Sequence, residues 1–303
     1  MTQIWRINLK PEPRANVDPQ KFCIERNIMG IGWPVILGNT DPTWDNYSKL
    51  AHSLYYIEQK DRGWLPAINA LKWNIAINDL CWTRTGQGIY YLGRITSDWR
   101  YESGEDYAGA DIVNLRDCEW LKVGTAENVA GKIVNSFIPR ATVQRVNGRM
   151  IEAFSTYLYN ELSKDYKFKI PPPEPDYYSL FSSDDCEDIV GLYLQSLGYY
   201  IVPSTCKNST LAYEYVLINK ETHRKATVQV KNGYVDLDSS VYSSDENEVF
   251  LFTTKGKYLG PRLNNVYCLD KSVIDNFIVN NLTLLPRKIK TWIEMSKKLR
   301  GVQ

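Results

Sequence analysis

Apolar and polar positions alternate at the start of the chain, where residues 4–9 predict a β-strand. Residues 18–23 predict the start of a helix, because Asp can cap a first turn and Pro suits the first helical position. Residues 64–71 predict a further short helix. Between residues 44 and 63, apolar side chains recur at the spacing of one helical face, at Leu50, Leu54 and Ile57.

Two β-prone runs, residues 79–84 and 89–95, flank the turn Thr85-Gly-Gln-Gly88 and predict a hairpin. Two later strands and a closing helix are predicted at residues 112–115, 119–123 and 150–162. We therefore expect the first half of the chain to form a small curved sheet or β-barrel with flanking helices.

A proline-rich segment, residues 169–176, separates the two halves of the chain. Proline cannot continue a helix or lie in a central strand, so we expect a stiff, extended linker. The predicted organisation is an N-terminal domain (residues 1–165), a linker (166–180) and a C-terminal domain (181–303).

The second half begins with Ser182 and a run of acidic residues, which is typical of a helix N-terminus. Apolar positions then recur at helical spacing up to Gly198, where we expect the helix to end. Strands are predicted at residues 199–202, 213–218, 227–231, 248–253 and 266–269, and a helix at 271–280. This order predicts an α/β core with a mixed central sheet, and the whole chain an α+β or α/β two-domain protein.

The chain carries a formal net charge of only +1, so any contact with nucleic acid has to come from local basic patches. Six cysteines lack the spacing of a zinc site or a disulfide framework, which suggests reduced thiols. Because neither a signal peptide nor an apolar run of membrane-spanning length is recognisable, we expect a cytoplasmic protein without a membrane partner.

The most informative residues are Glu214 on one predicted strand and Gln229 and Lys231 on the next. Hard divalent cations prefer oxygen ligands, which a carboxylate and an amide can supply. Because side chains alternate along a strand, Lys231 lies on the same face as Gln229, where it can orient a water or stabilise negative charge. Glu187 on the preceding helix can add a second carboxylate. The alternative is that these side chains simply face solvent, as most charged residues on strands do.

Residues 186–278 resemble the Mrr-like branch of the PD-(D/E)xK restriction-endonuclease superfamily. The resemblance lies in the Glu187 helix, Leu197-Gly-Tyr199, Glu214, Gln229-Val-Lys231 and the apolar run 249–253. It implies catalytic roles for Glu187, Glu214, Gln229 and Lys231, with Mg²⁺ or Mn²⁺ held by Glu214 and Gln229. The chain departs from the family at position 214, where Asp is usual and where two tyrosines flank the longer Glu.

Residues 1–148 are similar to the EVE-like branch of the PUA superfamily, through Gly30-Ile-Gly-Trp33 and the hairpin strands 79–84 and 90–95. That resemblance implies a β-barrel with an aromatic pocket for a modified base flipped out of a duplex. The candidate base-binding residues are Trp33, Asn78, Asp79, Trp82, Trp99 and Tyr101. For Trp5, Trp64 and Trp73 we expect core packing instead.

Two groups of basic residues are candidates for contacts with phosphate. The first group comprises Arg140, Arg145 and Arg149. The second is the C-terminal run from Arg287 to Arg300, which a solvated helix face also explains.

The leading hypothesis is a modification-dependent (type IV restriction-like) or defence-related DNA endonuclease. Its N-terminal domain would read a modified base, and its C-terminal domain would cut DNA. Because a double-strand cut needs two active sites, we expect a homodimer. Two alternatives remain open: a non-catalytic nucleic-acid-binding protein with a degenerate nuclease fold, and an effector nuclease switched by a small nucleotide bound in the N-terminal domain.

Overall fold

A computed structural model describes residues 2–9, 17–173, 176–206 and 213–301. The chain divides into two compact units, Met1–Glu174 and Pro175–Gln303. The division falls inside the proline-rich segment, of which Glu174 and Pro175 lie outside the described residues. Ala212, which directly precedes the predicted strand 213–218, also lies outside the described residues. Each unit combines helices with a mixed sheet, so the protein is α+β.

The first unit contains a seven-stranded, curled mixed sheet. Its strands are β1 (Ile4–Ile7), β2 (Ile28–Ile31), β3 (Leu80–Arg84), β4 (Tyr90–Ile95), β5 (Arg100–Tyr101), β6 (Asn114–Gly124) and β7 (Val143–Arg145). Their order is β2-β6-β4-β3-β1-β7, with β5 paired to β6. Within the described residues no pairing joins β2 to β7, so the ladder of strands has two ends.

Six α-helices accompany this sheet: α1 (Pro19–Glu25), α2 (Trp44–Ala51), α3 (Trp64–Asn69), α4 (Glu105–Gly109), α5 (Gly131–Ser136) and α6 (Arg149–Ser163). Two of them continue as π-helical turns, α2 into His52–Glu58 and α3 into Ala70–Asn74. The predicted cap of α1 is confirmed, since the Asp18 carboxylate accepts hydrogen bonds from the Gln20 and Lys21 amides.

The helix predicted over residues 44–63 exists, but it ends at Glu58 and buries a different face. The expected face contains Leu50 and Ile57, which are exposed. The buried positions are instead Tyr47, Ala51 and Tyr55, again four residues apart. Tyr47 and Tyr55 therefore anchor this helix, whereas Leu50 and Ile57 are exposed and Leu54 is only half-buried against the core.

The two strands predicted at residues 112–115 and 119–123 form one long strand, β6. Its first part, from Asn114 to Asp117, pairs with β2. Its second part, from Cys118 to Gly124, pairs with β4. The sequence therefore shows two patterns along one strand, because its two parts have different neighbours.

The second unit contains a five-stranded mixed sheet in the order β14-β12-β10-β9-β8. Its strands are β8 (Tyr199–Ile201), β9 (Tyr215–Asn219), β10 (Lys225–Lys231), β12 (Glu248–Thr253) and β14 (Val266–Cys268). The short strands β11 (Leu237–Asp238) and β13 (Tyr258–Leu259) pair separately. The helices are α7 (Ser183–Ser196), α8 (Lys271–Asn280) and α9 (Arg287–Leu299). The predicted order of helix, strands and helix is confirmed from α7 to α8.

Helix α9 contains the basic C-terminal run and bears out the alternative of a solvated helix face. Its buried residues recur at helical spacing, at Ile289, Trp292, Ile293, Ser296 and Leu299. The basic residues therefore belong to a helix whose apolar face packs into the second unit. One of its lysines, Lys288, forms an ion pair with Asp185 at 3.0 Å. In the part of the chain that the structure describes, no helix is long and apolar enough to span a membrane.

Helix α7 begins with a capping box, which fixes the start of the helix that carries Glu187. The Asp185 amide donates to the Ser182 hydroxyl at 3.1 Å, and the Ser182 amide donates to the Asp185 carboxylate at 2.7 Å. Ser182→Ala should therefore lower the free energy of unfolding by about 1 kcal/mol in urea denaturation of the full chain. The matched control is Ser183→Ala, one residue into the helix, which should change it by less than about 0.5 kcal/mol. Equal effects of the two variants would contradict the role of the cap.

Candidate functional site

Strand pairing brings Glu214 opposite Gln229. Strands β9 and β10 are antiparallel, with Tyr215 across from Val228. Glu214 precedes β9 by one residue, and its amide donates to the Val228 carbonyl at 2.7 Å. One step further along this register, Glu214 and Gln229 are direct cross-strand neighbours.

Gln229 and Lys231 both donate to the same oxygen of Glu214. The Gln229 amide nitrogen lies 2.6 Å and the Lys231 ammonium 2.9 Å from Glu214 Oε1. Gln229 is buried, whereas Lys231 keeps 37% of its side chain exposed. The structure thus places three of the four predicted catalytic residues in one cluster, with its cationic end at the surface.

Glu187, the fourth predicted residue, faces this cluster from α7. The Tyr215 hydroxyl donates to the Glu187 carbonyl at 3.0 Å, which ties α7 to β9. Burial, followed by the negative charges of Glu214 and Asp184, raises the pKa of Glu187 to about 7, although Lys231 opposes the shift. Its carboxyl can therefore gain or lose a proton near neutral pH.

The donor atoms at this site fit a hard divalent cation. Gln229 Oε1 is buried and accepts no hydrogen bond from any described residue, which is costly for an amide oxygen. Two carboxylates, those of Glu187 and Glu214, lie nearby. In residues 2–9, 17–173, 176–206 and 213–301, no three His, Cys, Asp or Glu side chains converge on one point. A cation here would therefore need the amide oxygen together with carboxylates, which is an all-oxygen set that suits Mg²⁺.

A cavity of about 460 Å³ in the second unit is lined in part by Tyr213, the residue before Glu214. Its walls include Tyr213, Thr227 and Tyr242, together with the acidic loop that contains Asp245 and Glu246. Burial, followed by the negative charges of Glu214 and Asp245, raises the pKa of Tyr242. This acidic lining would repel a phosphate unless a cation neutralised it.

The first unit contains a larger cavity, of about 740 Å³. Its aromatic walls are Trp33, Tyr55 and Phe137. Its charged lining residues are Asp61, Arg84, Asp111 and Arg140. This volume is typical of a small-molecule site in which a few polar groups fix the orientation of the ligand.

Trp33 lines this cavity and has an unusual backbone conformation. Its φ of +64° lies in the left-handed region, which is rare for an aromatic residue. The indole nitrogen donates to the Asp61 carboxylate at 2.7 Å. The preceding residue, Gly32, lies so close to Asp111 that a Cβ would come within 2.5 Å of the carboxylate. Backbone strain of this kind clusters at ligand sites, so Trp33 is the strongest of the predicted base-binding residues.

The other predicted aromatic walls lie in the core of the first unit, away from this cavity. Trp82 is fully buried, and its ring stacks against Phe154 at an interplanar angle of 5°. Trp99 and Tyr101 are also buried, and the Tyr101 hydroxyl bonds to the backbone of Val35. Burial leaves these rings no open face for a base. The sequence pattern missed this because residue type alone does not reveal exposure.

The expected core positions of Trp5 and Trp64 are confirmed, because both side chains are buried. The expectation for Trp73 is wrong, since 62% of this residue is exposed. It lies edge-on to the ring of Trp44, 5.5 Å away.

The side chains of Asn78 and Asp79 likewise form hydrogen bonds inside the first unit. Asn78 accepts a hydrogen bond from Arg94 at 2.8 Å. Asp79 is buried and accepts hydrogen bonds from the Trp5 indole and the Gln3 amide, both at 2.9 Å. Neither residue lines the cavity, so their polar atoms serve the fold.

Of the predicted phosphate-binding arginines, only Arg140 lines the cavity. Arg145 ends β7 and Arg149 begins α6, and both are exposed elsewhere on the first unit. Asp61, Arg84 and Asp111 also line the cavity, although none of them was predicted as a site residue from the sequence. These residues come from separate parts of the chain and form no motif, so only the fold brings them together.

The charge of Glu214 should be visible in the titration of Glu187. In Glu214→Gln, the pKa of Glu187 should fall below its wild-type value of about 7, because one neighbouring negative charge is removed. Carboxyl-carbon NMR of the full chain as a function of pH measures this directly. An unchanged Glu187 pKa in the variant would contradict the proximity of the two carboxylates.

The same shift predicts how stability depends on pH. Folding raises the pKa of Glu187 from 4.5, so the stability that its protonated form contributes is present below about pH 4.5 and is lost as the pH rises through about 7. Glu187→Gln should remove this contribution and flatten the unfolding free energy between these two pH values, as measured by urea denaturation. If wild type and variant show the same pH dependence, the assignment is wrong.

Residues 5–147 match a family model described as a domain of unknown function (DUF8426). The match covers just under half of the chain and lies wholly within the first unit. No curated protein and no solved structure matched the chain.

Proposed function

We propose that this chain is a metal-dependent DNA endonuclease whose first unit reads the nucleic acid that the second unit cuts. The observation that carries this proposal is the convergence of Gln229 and Lys231 on one oxygen of Glu214. Glu214 and Gln229 offer oxygen ligands for a cation, and Lys231, ion-paired to Glu214 and 37% exposed, lies beside them.

The order of elements supports assigning the second unit to the restriction-endonuclease-like fold. Helix α7 precedes an antiparallel pair, β9 and β10, and the pair continues into the parallel strands β12 and β14. The similarity to the Mrr-like branch rests on the same elements. On this proposal DNA is the substrate, and a homodimer supplies the two active sites that a double-strand cut needs.

Each residue of the cluster has a distinct task in phosphodiester hydrolysis. Glu214 and Gln229 Oε1 would hold Mg²⁺ or Mn²⁺. When bound, such an ion polarises the phosphate and lowers the pKa of an attacking water. Lys231, at the exposed end of the cluster, stabilises the negative charge that develops on the phosphate. Glu187, with a pKa of about 7, accepts a proton at its carboxylate near neutral pH.

For the first unit we propose an EVE-like reader of modified bases. Trp33 is half-buried and lines this cavity, and a base removed from its stack recovers a stacking partner on such a ring. Trp33 and Arg140 are the two residues that the sequence analysis and this cavity have in common.

A second candidate function is a non-catalytic nucleic-acid-binding protein. One observation favours it: the hydrogen bonds that Glu214 accepts from Gln229 and Lys231 join the two strands. A pair of this kind can simply stabilise two strands. In that case the second unit grips DNA without cutting it.

Cleavage of plasmid DNA distinguishes the two candidates. The full chain should cut in Mg²⁺ or Mn²⁺ and not in EDTA, with modified and unmodified plasmids tested in parallel. Lys231→Ala should lower the cleavage rate at least about 100-fold, the cost of removing one group that stabilises transition-state charge. Lys225→Ala is the matched control, because this exposed lysine begins the same strand β10. We expect it to cut within about twofold of wild type, as surface substitutions far from a site usually do.

Three outcomes would count against the proposal. If the wild-type chain binds DNA but cuts none of the plasmids, the non-catalytic candidate is correct. If cleavage survives Lys231→Ala, the site lies elsewhere. If Lys225→Ala loses as much activity as Lys231→Ala, the loss reflects charge or folding, and the cluster has no special role.

A further inference from the structure

The cavity lining in the first unit contains Arg84, Phe137 and Arg140, and the guanidinium of the buried Arg6 lies 5.7 Å from the ring centroid of Phe137. In the part of the chain that the structure describes, no carboxylate pairs with Arg6. Its guanidinium donates to the carbonyls of Ser136 and Pro139 and to the side-chain oxygen of Gln144. These acceptors are all neutral, so they satisfy the hydrogen bonds of Arg6 without cancelling its charge.

Two further arginines add to this charge at the cavity surface. Arg84 and Arg140 both line the cavity, and neither side chain forms a hydrogen bond or an ion pair with any residue that the structure describes. Arg84 instead lies over the ring of Phe137, 5.3 Å from its centroid. Burial lowers the pKa of Arg6, and the positive charge of Arg84 lowers it further, as expected for like charges in proximity. A bound anion would relieve this repulsion.

The cavity lining also contains two carboxylates, those of Asp61 and Asp111. Asp61 accepts a hydrogen bond from the indole of Trp33, and Asp111 lies against Gly32. Carboxylates in this position accept hydrogen bonds from N–H groups, including the exocyclic amino groups of bases. Trp33, whose indole donates to Asp61, supplies half-buried aromatic surface next to that carboxylate.

We propose that this cavity binds a nucleotide rather than a bare base, with the phosphate on Arg84 and Arg140 and an amino-bearing base towards Asp61 and Asp111. The volume of about 740 Å³ admits a ligand of this size. This inference rests on the proposed function, because it specifies which ligand chemistry the cavity of the proposed reader recognises. A free mononucleotide and a nucleotide turned out of a strand present the same groups.

The test is calorimetric titration of the full chain, in EDTA so that no substrate is cut, with cytidine, CMP, UMP and a short oligocytidylate. CMP should bind at least about tenfold more tightly than cytidine, a difference of about 1.4 kcal/mol. UMP should bind more weakly than CMP, because uracil lacks the amino group. Tighter binding of the oligonucleotide than of CMP identifies a strand as the source, and the reverse identifies a free nucleotide.

Arginine variants locate the phosphate. Arg84→Gln and Arg140→Gln should each weaken CMP binding several-fold and leave cytidine binding unchanged. Arg140 is exposed, so its variant should fold even if Arg84→Gln does not. Lys122→Gln is the matched control: it removes one exposed positive charge from β6, outside the cavity lining, and should leave CMP binding unchanged.

The proposal is overturned if cytidine binds as tightly as CMP, if UMP binds as tightly as CMP, or if none of the four ligands binds. It is also overturned if Lys122→Gln weakens binding as much as the arginine variants. Plasmid cleavage is scored separately. Cleavage without nucleotide binding rejects only this inference, whereas CMP binding without cleavage rejects only the nuclease.

Discussion

The ion pair between Glu214 and Lys231 connects the fold of the second unit to its chemistry. A 2.9 Å contact between unlike charges on neighbouring strands requires that β9 and β10 pair in one register. A slip by one residue would turn Gln229 and Lys231 to the opposite face of the sheet. The buried valines of β10 prevent that slip, because they belong to the core side of the same strand. Core packing therefore fixes the register, and the register places the functional groups.

Much of the second unit could be predicted from the sequence, because its elements have strong local signals. Ser182 and Asp185 cap α7, and the apolar run of β12 and the helix α8 lie where their patterns indicate. The apolar positions of α9 escaped notice because lysines surround them in the sequence. The relation of Glu214 to Gln229 was suggested by strand order, but the shared oxygen depends on side-chain geometry that no sequence pattern contains.

The first unit was harder to predict at the level of single residues. Its hairpin and its capped helix follow local rules, whereas its cavity is assembled from segments that are distant in sequence. Trp33 was found because two glycines precede it. Trp82 and Trp99 were misjudged because an aromatic residue serves a core as well as a binding wall. The two units illustrate a general difference: groups on neighbouring paired strands can be anticipated from the pairing, and groups from distant segments cannot.

The central claim is that Glu214 and Gln229 together hold a divalent cation. A crystal structure of the full chain soaked in Mn²⁺, with anomalous diffraction recorded at the manganese edge, tests it most directly. The account predicts one anomalous peak within coordination distance of the Glu214 carboxylate and of Gln229 Oε1. It is contradicted if the soaked crystal shows no peak there while Gln229 and Lys231 still donate to Glu214 as they do without metal.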